Sequence, residues 1–264
     1  MTRRRADIEL ADQGIFPSRE QARAAIMAGE VRIGDCPVRK AGESVERGTV
    51  FEVAQRPRFV SRGGSKLAGA LDTFGLDVAG MRAVDVGAST GGFTDCLLQH
   101  GAASVSAVDV GYGQLAWSLR QDSRVRVFER TNIRVADPGE IGAPFDLAVV
   151  DVSFIGLGVV LPHVVPLLGA SGQLMALVKP QFEAGKGRVG KRGVVRGADI
   201  HVEVLERTRD TVIGHGLAVR GLSWSPLKGP EGNIEFWVWA DRTDLSVETD
   251  PAAVVAAAHN ELGE

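Results

Sequence analysis

Four ionisable residues stand at the ends of apolar runs, where a chain leaves its core. Lys66 lies in SRGGSKLAGAL just ahead of a helical pattern, Asp151 closes DLAVVD, Lys179 closes LMALVK, and Glu235 sits in GNIEFWVW. A lysine amine takes a proton from a hydroxyl when burial and neighbouring cations pull its pKa toward neutrality, and carboxylates beside it fix its direction. Two lysines and two carboxylates gathered at one edge of a sheet would suit removal of a weakly acidic hydroxyl proton. Taken singly, each is more often a solvated charge or half of an ion pair. Their shared position at or beside apolar strand ends is what unites them.

A second signal is the string MRAVDVGASTGGFTDCLLQHGAASVSAVDVGYGQLAW. An apolar strand ends in Asp85, a turn with Gly87, Gly91 and Gly92 leads into a helix, and a second strand ends in Asp109. Glycines admit a ligand close to the backbone and an acid at the second strand's end accepts ribose hydroxyls, so a nucleotide-like ligand is expected there. The spacing is D-x-G-x-x-x-G-G-F rather than G-x-G-x-x-G, which counts against NAD and its pyrophosphate. A glycine turn made only for packing, with Asp109 as a cap, is the simpler alternative. Acids at both strand ends weigh against it.

The elements that must position these groups alternate between strand and helix patterns, the mark of an α/β fold with a mostly parallel sheet. Strands are expected at Ala83–Val86, Ser104–Asp109, Val125–Phe128, Leu147–Asp151, Gln173–Val178, Ala218–Ser223 and Ile234–Ala240, with helices in most gaps. Trp237 and Trp239 alternate along the last of these and read as core. The apolar stretch from Phe154 to Ala170 contains Pro162, His163 and Pro166 and falls short of the roughly 20 residues of a spanning helix, so it reads as a loop and buried helix.

Ahead of this body lies a different pattern. Two short amphipathic helices are expected at Asp7–Asp12, with Ile8, Ala11 and Ile15 on one face, and at Ser18–Met27, with Ala22, Ala25 and Ile26 on another. Ser18 and Gln21 have the spacing of a capping box. Short strands follow at Val31–Ile33, around Val38 and at Val50–Val53. Residues 1–55 thus form one domain, 56–62 around Pro57 a linker, and 63–264 a second domain. Met1 to Lys66 holds 13 Lys+Arg against 9 Asp+Glu, whereas the whole chain of 264 residues has 30 against 33, so a basic head precedes an acidic body. A hydrophobic fraction of 44% with 24% charged residues excludes disorder, collagen and coiled coil. Cys36 and Cys96 make no disulfide framework and no metal-ligand spacing with the histidines, so no metal is expected and a cytoplasmic setting is the simpler one.

The head, with SREQARAAIMAGEVRIGDCPVRKAGESVERGTVFEV as its centre, resembles the small RNA-binding domain named after the fourth small-subunit ribosomal protein. Behind it SRGGSKL, VDVGASTGGFTD, VDVGYGQLAWSLR, ERTNIR, VVDVSFI, VKPQFEAGKG and GPEGNIEFWVW follow in the order seen in the TlyA family of ribosomal RNA 2′-O-methyltransferases, whose catalytic domain is of the RrmJ/FtsJ type. The resemblance implies a Rossmann-like class I methyltransferase domain, a seven-stranded mostly parallel sheet, behind a small α+β RNA-binding domain. It implies S-adenosylmethionine as cofactor, with contacts from Asp85, Gly87, Ser89, Gly91, Gly92, Phe93, Asp109, Asn132 and Phe154. It further implies a Lys-Asp-Lys-Glu tetrad falling on Lys66, Asp151, Lys179 and Glu235, with Lys179 as base and the others arranging the site and the ribose. Family members have also been called haemolysins, but no apolar segment here suits a membrane pore.

Ribosomal RNA and ribosomal subunits are the partners so implied. Phosphate contacts are expected from Arg3 and Arg5 in the N-terminal arm, from Arg19 and Lys40 on the head, and from Arg62. The loop AGKGRVGKRGVVRGA, which follows Lys179 and holds no acid, should add Lys186, Arg188, Lys191 and Arg192. In the family this chain resembles, a short N-terminal arm and a C-terminal helix accompany action on both subunits. With the arm and the helical pattern of DPAAVVAAAHNELGE present here, the resemblance implies cytidine methylation in both 16S and 23S ribosomal RNA. A monomer is the simplest state. A small-molecule O- or N-methyltransferase and a ribosome-binding factor without turnover are the competing readings; the basic head argues against the first and the complete tetrad against the second.

Overall fold

The computed structural model describes residues 3–54, 57–185, 187–243 and 245–263. The chain divides into two compact units, residues 1–57 and 58–264.

In the first unit, strand Arg3–Arg5 pairs antiparallel with Ser44–Glu46, and a three-stranded sheet has the order Cys36–Pro37, Val31–Ile33, Glu52–Val53. Helices Ala6–Asp12 and Arg19–Met27 share its core. Ser18 caps the second helix, its Oγ accepting from Gln21 N at 3.2 Å, and Ala22, Ala25 and Ile26 are buried as their spacing predicts. The first helix is rotated from the expected face: Ala6 and Leu10 are buried, and Ile15 is exposed. Its first amides donate to the carbonyls of Glu43 and Ala41, which fixes the rotation and turns Ala6 inward.

The second unit carries seven strands: β1 (Arg82–Val86), β2 (Ser104–Val108), β3 (Val125–Phe128), β4 (Phe145–Val150), β5 (Leu168–Val178), β6 (Ala218–Trp224) and β7 (Phe236–Asp241). Their order is β6-β7-β5-β4-β1-β2-β3, with β7 antiparallel to both neighbours. Side chains alternate between two cores, as the pleat requires. Val84, Ala148 and Ala176 join the core under helices α3 (Leu157–Val164), α4 (Ala198–Gly214) and α5 (Pro251–Leu262). Ala83, Val149 and Met175 join the core under α1 (Arg62–Phe74) and α2 (Gly92–Gln99). Trp237 is fully buried, and Trp239 donates from Nε1 to Gln173 Oε1 at 2.8 Å.

Several expected boundaries move, three of them at the charged residues. Asp109 and Asp151 fall one residue beyond their strands, and β7 begins at Phe236, leaving Glu235 just before it. The linker expected at 56–62 is shorter among the described residues. Phe59 is buried against Gly64, where a Cβ would come within 2.3 Å of its ring, and Arg62 already opens α1. The segment from Phe154 to Ala170 forms α3, a short 3-10 turn and the start of β5. Among the described residues no helix is long and apolar enough to cross a membrane.

Candidate active site

The parallel strands end at one edge, and the sheet order reverses there between β1 and β4, which opens a crevice for ligands. Asp151 and Lys179 follow β4 and β5 directly, so their side chains leave the core at this edge. Glu235 reaches the same edge by the opposite route. Because β7 is antiparallel, its beginning lies where its neighbours end. Lys66 comes from the second turn of α1, whose start packs closely on α2: a Cβ on Gly92 would meet Ser61 Oγ at 2.2 Å and Gly64 N at 2.8 Å.

These four residues line one cavity of about 520 Å³. Lys66 Nζ lies 2.5 Å from Glu235 Oε2, the side chains 9% and 1% exposed. Lys179 Nζ lies 2.5 Å from Asp151 Oδ1 and donates to Ser153 Oγ at 3.0 Å. Burial pushes the Glu235 carboxyl above its ordinary range, against the pull of the Lys66 and Lys179 charges, while Asp151 adds to the rise. The arrangement can hold a hydroxyl group among two amines and two carboxyls and receive its proton.

A second cavity of about 410 Å³ adjoins the first and shares Gly87, Ser89, Asp151, Ser153 and Phe154 with it. Asp109 and Asn132 line it, with Val108, Val110, Ile133 and Ile155 as apolar walls. The Asp109 carboxylate binds its surroundings together, Oδ2 accepting from Ser89 N at 2.8 Å and Oδ1 from Gly111 N at 2.6 Å. Gly87 has φ +89°, and a Cβ there would lie 2.4 Å from the Asp151 carbonyl oxygen, so the turn closes against β4 only without a side chain. Phe154 is 91% exposed with φ +65°, an uncommon conformation for a bulky residue, and its ring lies 5.2 Å from that of Phe182.

Not every expected cofactor residue is there. Gly92 and Phe93 face a smaller recess beside Lys66 and Arg62. Asp85 and Gly91 line none of these cavities. Asp85 is fully buried, its Oδ2 accepting from Thr94 N at 2.9 Å and Thr94 Oγ1 at 2.7 Å, because its strand position faces α2 rather than the crevice. Gly91 makes room for Leu115 and Leu119, whose methyl carbons would lie 2.8 and 2.3 Å from a Cβ. Sequence reasoning missed Ser153 and Asn233. Asn233 is buried, accepts from Val195 N and donates to Gly193 O, both at 2.9 Å, and so ties the basic loop to the approach of Glu235. Each is two residues from one of the four, Asp151 or Glu235, and that spacing was the available signal.

Of the residues expected to meet RNA, Arg3, Arg5, Arg19 and Lys40 are exposed on the first unit. Arg188 pairs with Glu203 at 2.6 Å, and Arg192 has φ +68° in a short 3-10 turn, Lys191–Gly193. Lys186 lies outside the described residues.

A doubly covered sheet of this strand order, with a glycine turn after β1, an acid after β2 and a crevice at the switch point, defines the class I methyltransferase fold. The chain belongs to the FtsJ-like methyltransferase family, whose pattern matches residues 59–242, and an S4 domain matches residues 4–51. It is 45% identical over 267 aligned residues to the 16S/23S rRNA (cytidine-2'-O)-methyltransferase TlyA of Mycobacterium tuberculosis, covering 99% of this chain and 98% of that one. A solved structure from Streptococcus thermophilus, described as a hemolysin, is 44% identical, covers 99% of this chain and 97% of its own, and superposes with a TM-score of 0.74. A Listeria monocytogenes structure described as an S-adenosylmethionine-dependent methyltransferase shares the fold alone, at 13% identity and a TM-score of 0.52 over 69% of this chain and 99% of that one.

Proposed function

We propose that this protein methylates the 2′-hydroxyl of cytidine in ribosomal RNA, in both 16S and 23S molecules, using S-adenosylmethionine. The observation that carries the reading is the pair of lysine–carboxylate contacts, Lys66–Glu235 and Lys179–Asp151, in a cavity that adjoins the glycine-turn cavity. The Mycobacterium tuberculosis relative, matched along nearly its whole length, carries that activity in its name.

The glycine-turn cavity fits the cofactor chemically. Carboxylates of Asp109 and Asp151 suit ribose hydroxyls and a cationic chain, Ser89 and Asn132 add polar contacts, and the apolar walls suit a base. When bound, S-adenosylmethionine supplies an electrophilic methyl group. The chain's own part is to place the hydroxyl and take its proton. Asp151 and Ser153 aim the Lys179 nitrogen, which accepts that proton in its free-amine form, and Glu235 holds Lys66 at the opposite wall. Phe154 stands exposed where the two cavities meet, positioned to stack on the cofactor base or the target base. The first unit and the basic loop supply phosphate contacts that carry no sequence information.

Transfer of tritiated methyl groups to small and large ribosomal subunits, free ribosomal RNA and free nucleosides tests the reading, followed by mapping of blocked 2′-hydroxyls. Label confined to cytidine 2′-hydroxyls of ribosomal RNA is expected. Label on free nucleosides only, or on none of these acceptors, would overturn it.

A further inference from the structure

In the first unit one carboxylate gathers two arginines. Asp7 stands in the first turn of the helix Ala6–Asp12, and its side chain is 1% exposed. Arg5 donates to it twice, from Nε to Oδ1 and from Nη2 to Oδ2, both at 2.9 Å. Arg19 donates from Nε to Oδ2, also at 2.9 Å. The two arginines come from different elements, the strand Arg3–Arg5 and the first turn of helix Arg19–Met27, and remain 48% and 55% exposed. Gly42 leaves space for this packing, since a Cβ there would lie 3.1 Å from Arg5 Nη1.

A carboxylate that served only to favour the start of its helix would do so from the surface. Asp7 instead lies beneath two guanidinium groups that keep one net positive charge and a partly exposed face. The Arg5 hydrogen bonds, followed by those of Arg19, hold its carboxyl down at about 2 against the opposing effect of burial, so the cluster stays ionised across the physiological range. Asp7 engages Arg19 only through Nε, which leaves both terminal nitrogens of that fork to other acceptors. A planar fork fixed before binding matches phosphate oxygens and loses little freedom on contact.

We propose that Asp7 is a positioning residue for RNA recognition, presetting Arg5 and Arg19 as one paired phosphate-binding fork. The proposal rests on the RNA-binding role assigned to the first unit.

Binding of the full chain to purified small and large ribosomal subunits, measured over a salt series, tests it. Asp7→Asn keeps the size of the side chain and removes its charge. It is expected to weaken binding roughly tenfold and to flatten the salt dependence, with cofactor affinity unchanged. In a chain already carrying Arg5→Ala and Arg19→Ala, the same change should alter binding by less than about twofold, because the carboxylate acts through those side chains. Normal binding by Asp7→Asn, alongside weak binding by the double arginine variant, overturns the role of Asp7 and leaves the RNA reading in place. Normal binding by the double arginine variant overturns both. Should Asp7→Asn fail to fold, Arg19→Lys decides, since it keeps a charge beside Asp7 but removes the fork. A loss of about fivefold or more supports the proposal, and unchanged binding defeats it.

Discussion

Replacing Asp85 with asparagine separates two roles that the sequence alone confuses. Burial drives the Asp85 carboxyl from its ordinary 3.8 up to about 7, Asp151 and Asp109 adding to the rise and Thr94 opposing it. Such a displacement corresponds to about 4 kcal/mol between the two protonation states. Between pH 4 and 7 the folded chain keeps a proton that the unfolded chain has released, so the stability contributed by the neutral acid is complete below pH 4 and is lost as pH rises through 7. An asparagine at this position cannot ionise and should show none of this loss. The Thr94 bonds to the carboxylate are already contained in that displacement, so Asp85→Asn should exceed the natural chain by about 4 kcal/mol at pH 8. Near pH 4 the two should be similar. All four tryptophans, Trp117, Trp224, Trp237 and Trp239, lie in the second unit, so urea titrations followed by their fluorescence read that unit alone. Glu235 and Glu183 are raised in the same direction, and the difference between variant and parent removes their share. Parallel pH profiles would refute the reasoning. A tenfold fall in cofactor affinity in the same variant would support a role for Asp85 at the ligand site, although it lines none of the cavities described.

Asp109→Ala should weaken cofactor binding by about 1.5–3 kcal/mol in calorimetry while leaving RNA binding intact, since its carboxylate both lines the cavity and holds Ser89 and Gly111. Lys179→Ala should slow single-turnover methyl transfer by about 10²–10⁴-fold on saturating RNA. Lys179→Arg should be nearly as poor, because a guanidinium does not deprotonate; near-normal rates for it would make the lysine a fixed charge rather than a base. Deleting residues 1–57 should abolish methylation of ribosomal subunits yet leave a folded unit that binds S-adenosylmethionine, as read by calorimetry and circular dichroism. Full activity of that truncated chain on subunits would contradict the division of labour.

What the sequence made legible follows from periodicity. The runs ending in Asp151 and Lys179 are buried on both faces, so their lengths mark strands, and the first charge after each marks the sheet edge. Glu235 was legible as a charge near the start of an apolar strand, but the sense of β7 was not. Strand direction depends on pairing partners distant in the chain, and only the antiparallel register explains why a residue before a strand meets residues after two others. The glycine turn was read as one ligand cradle, yet its members do different things: Gly87 admits the Asp151 backbone, Gly91 admits Leu115 and Leu119, and Gly92 lets two helices touch. Spacing reports that a side chain is absent, not what fills the space. The first helix shows the same limit, since its seven residues are rotated by hydrogen bonds to Ala41 and Glu43 and not by their own apolar pattern.

The insertion of β7 between β5 and β6 carries a consequence for biogenesis. Lys66 waits for a counter-charge that lies 169 residues further on, and β5 gains its second neighbour only when the last strand has been synthesised. A nascent chain that has emerged only as far as β6 therefore presents strand edges without partners, the condition that invites misassociation and holdase capture. Closure of the sheet must await a long-range search, which slows it relative to the local pairing of β1 and β2. The same step that buries those edges also delivers Glu235 to Lys66, so the cavity that these two residues line is completed only with the final strand.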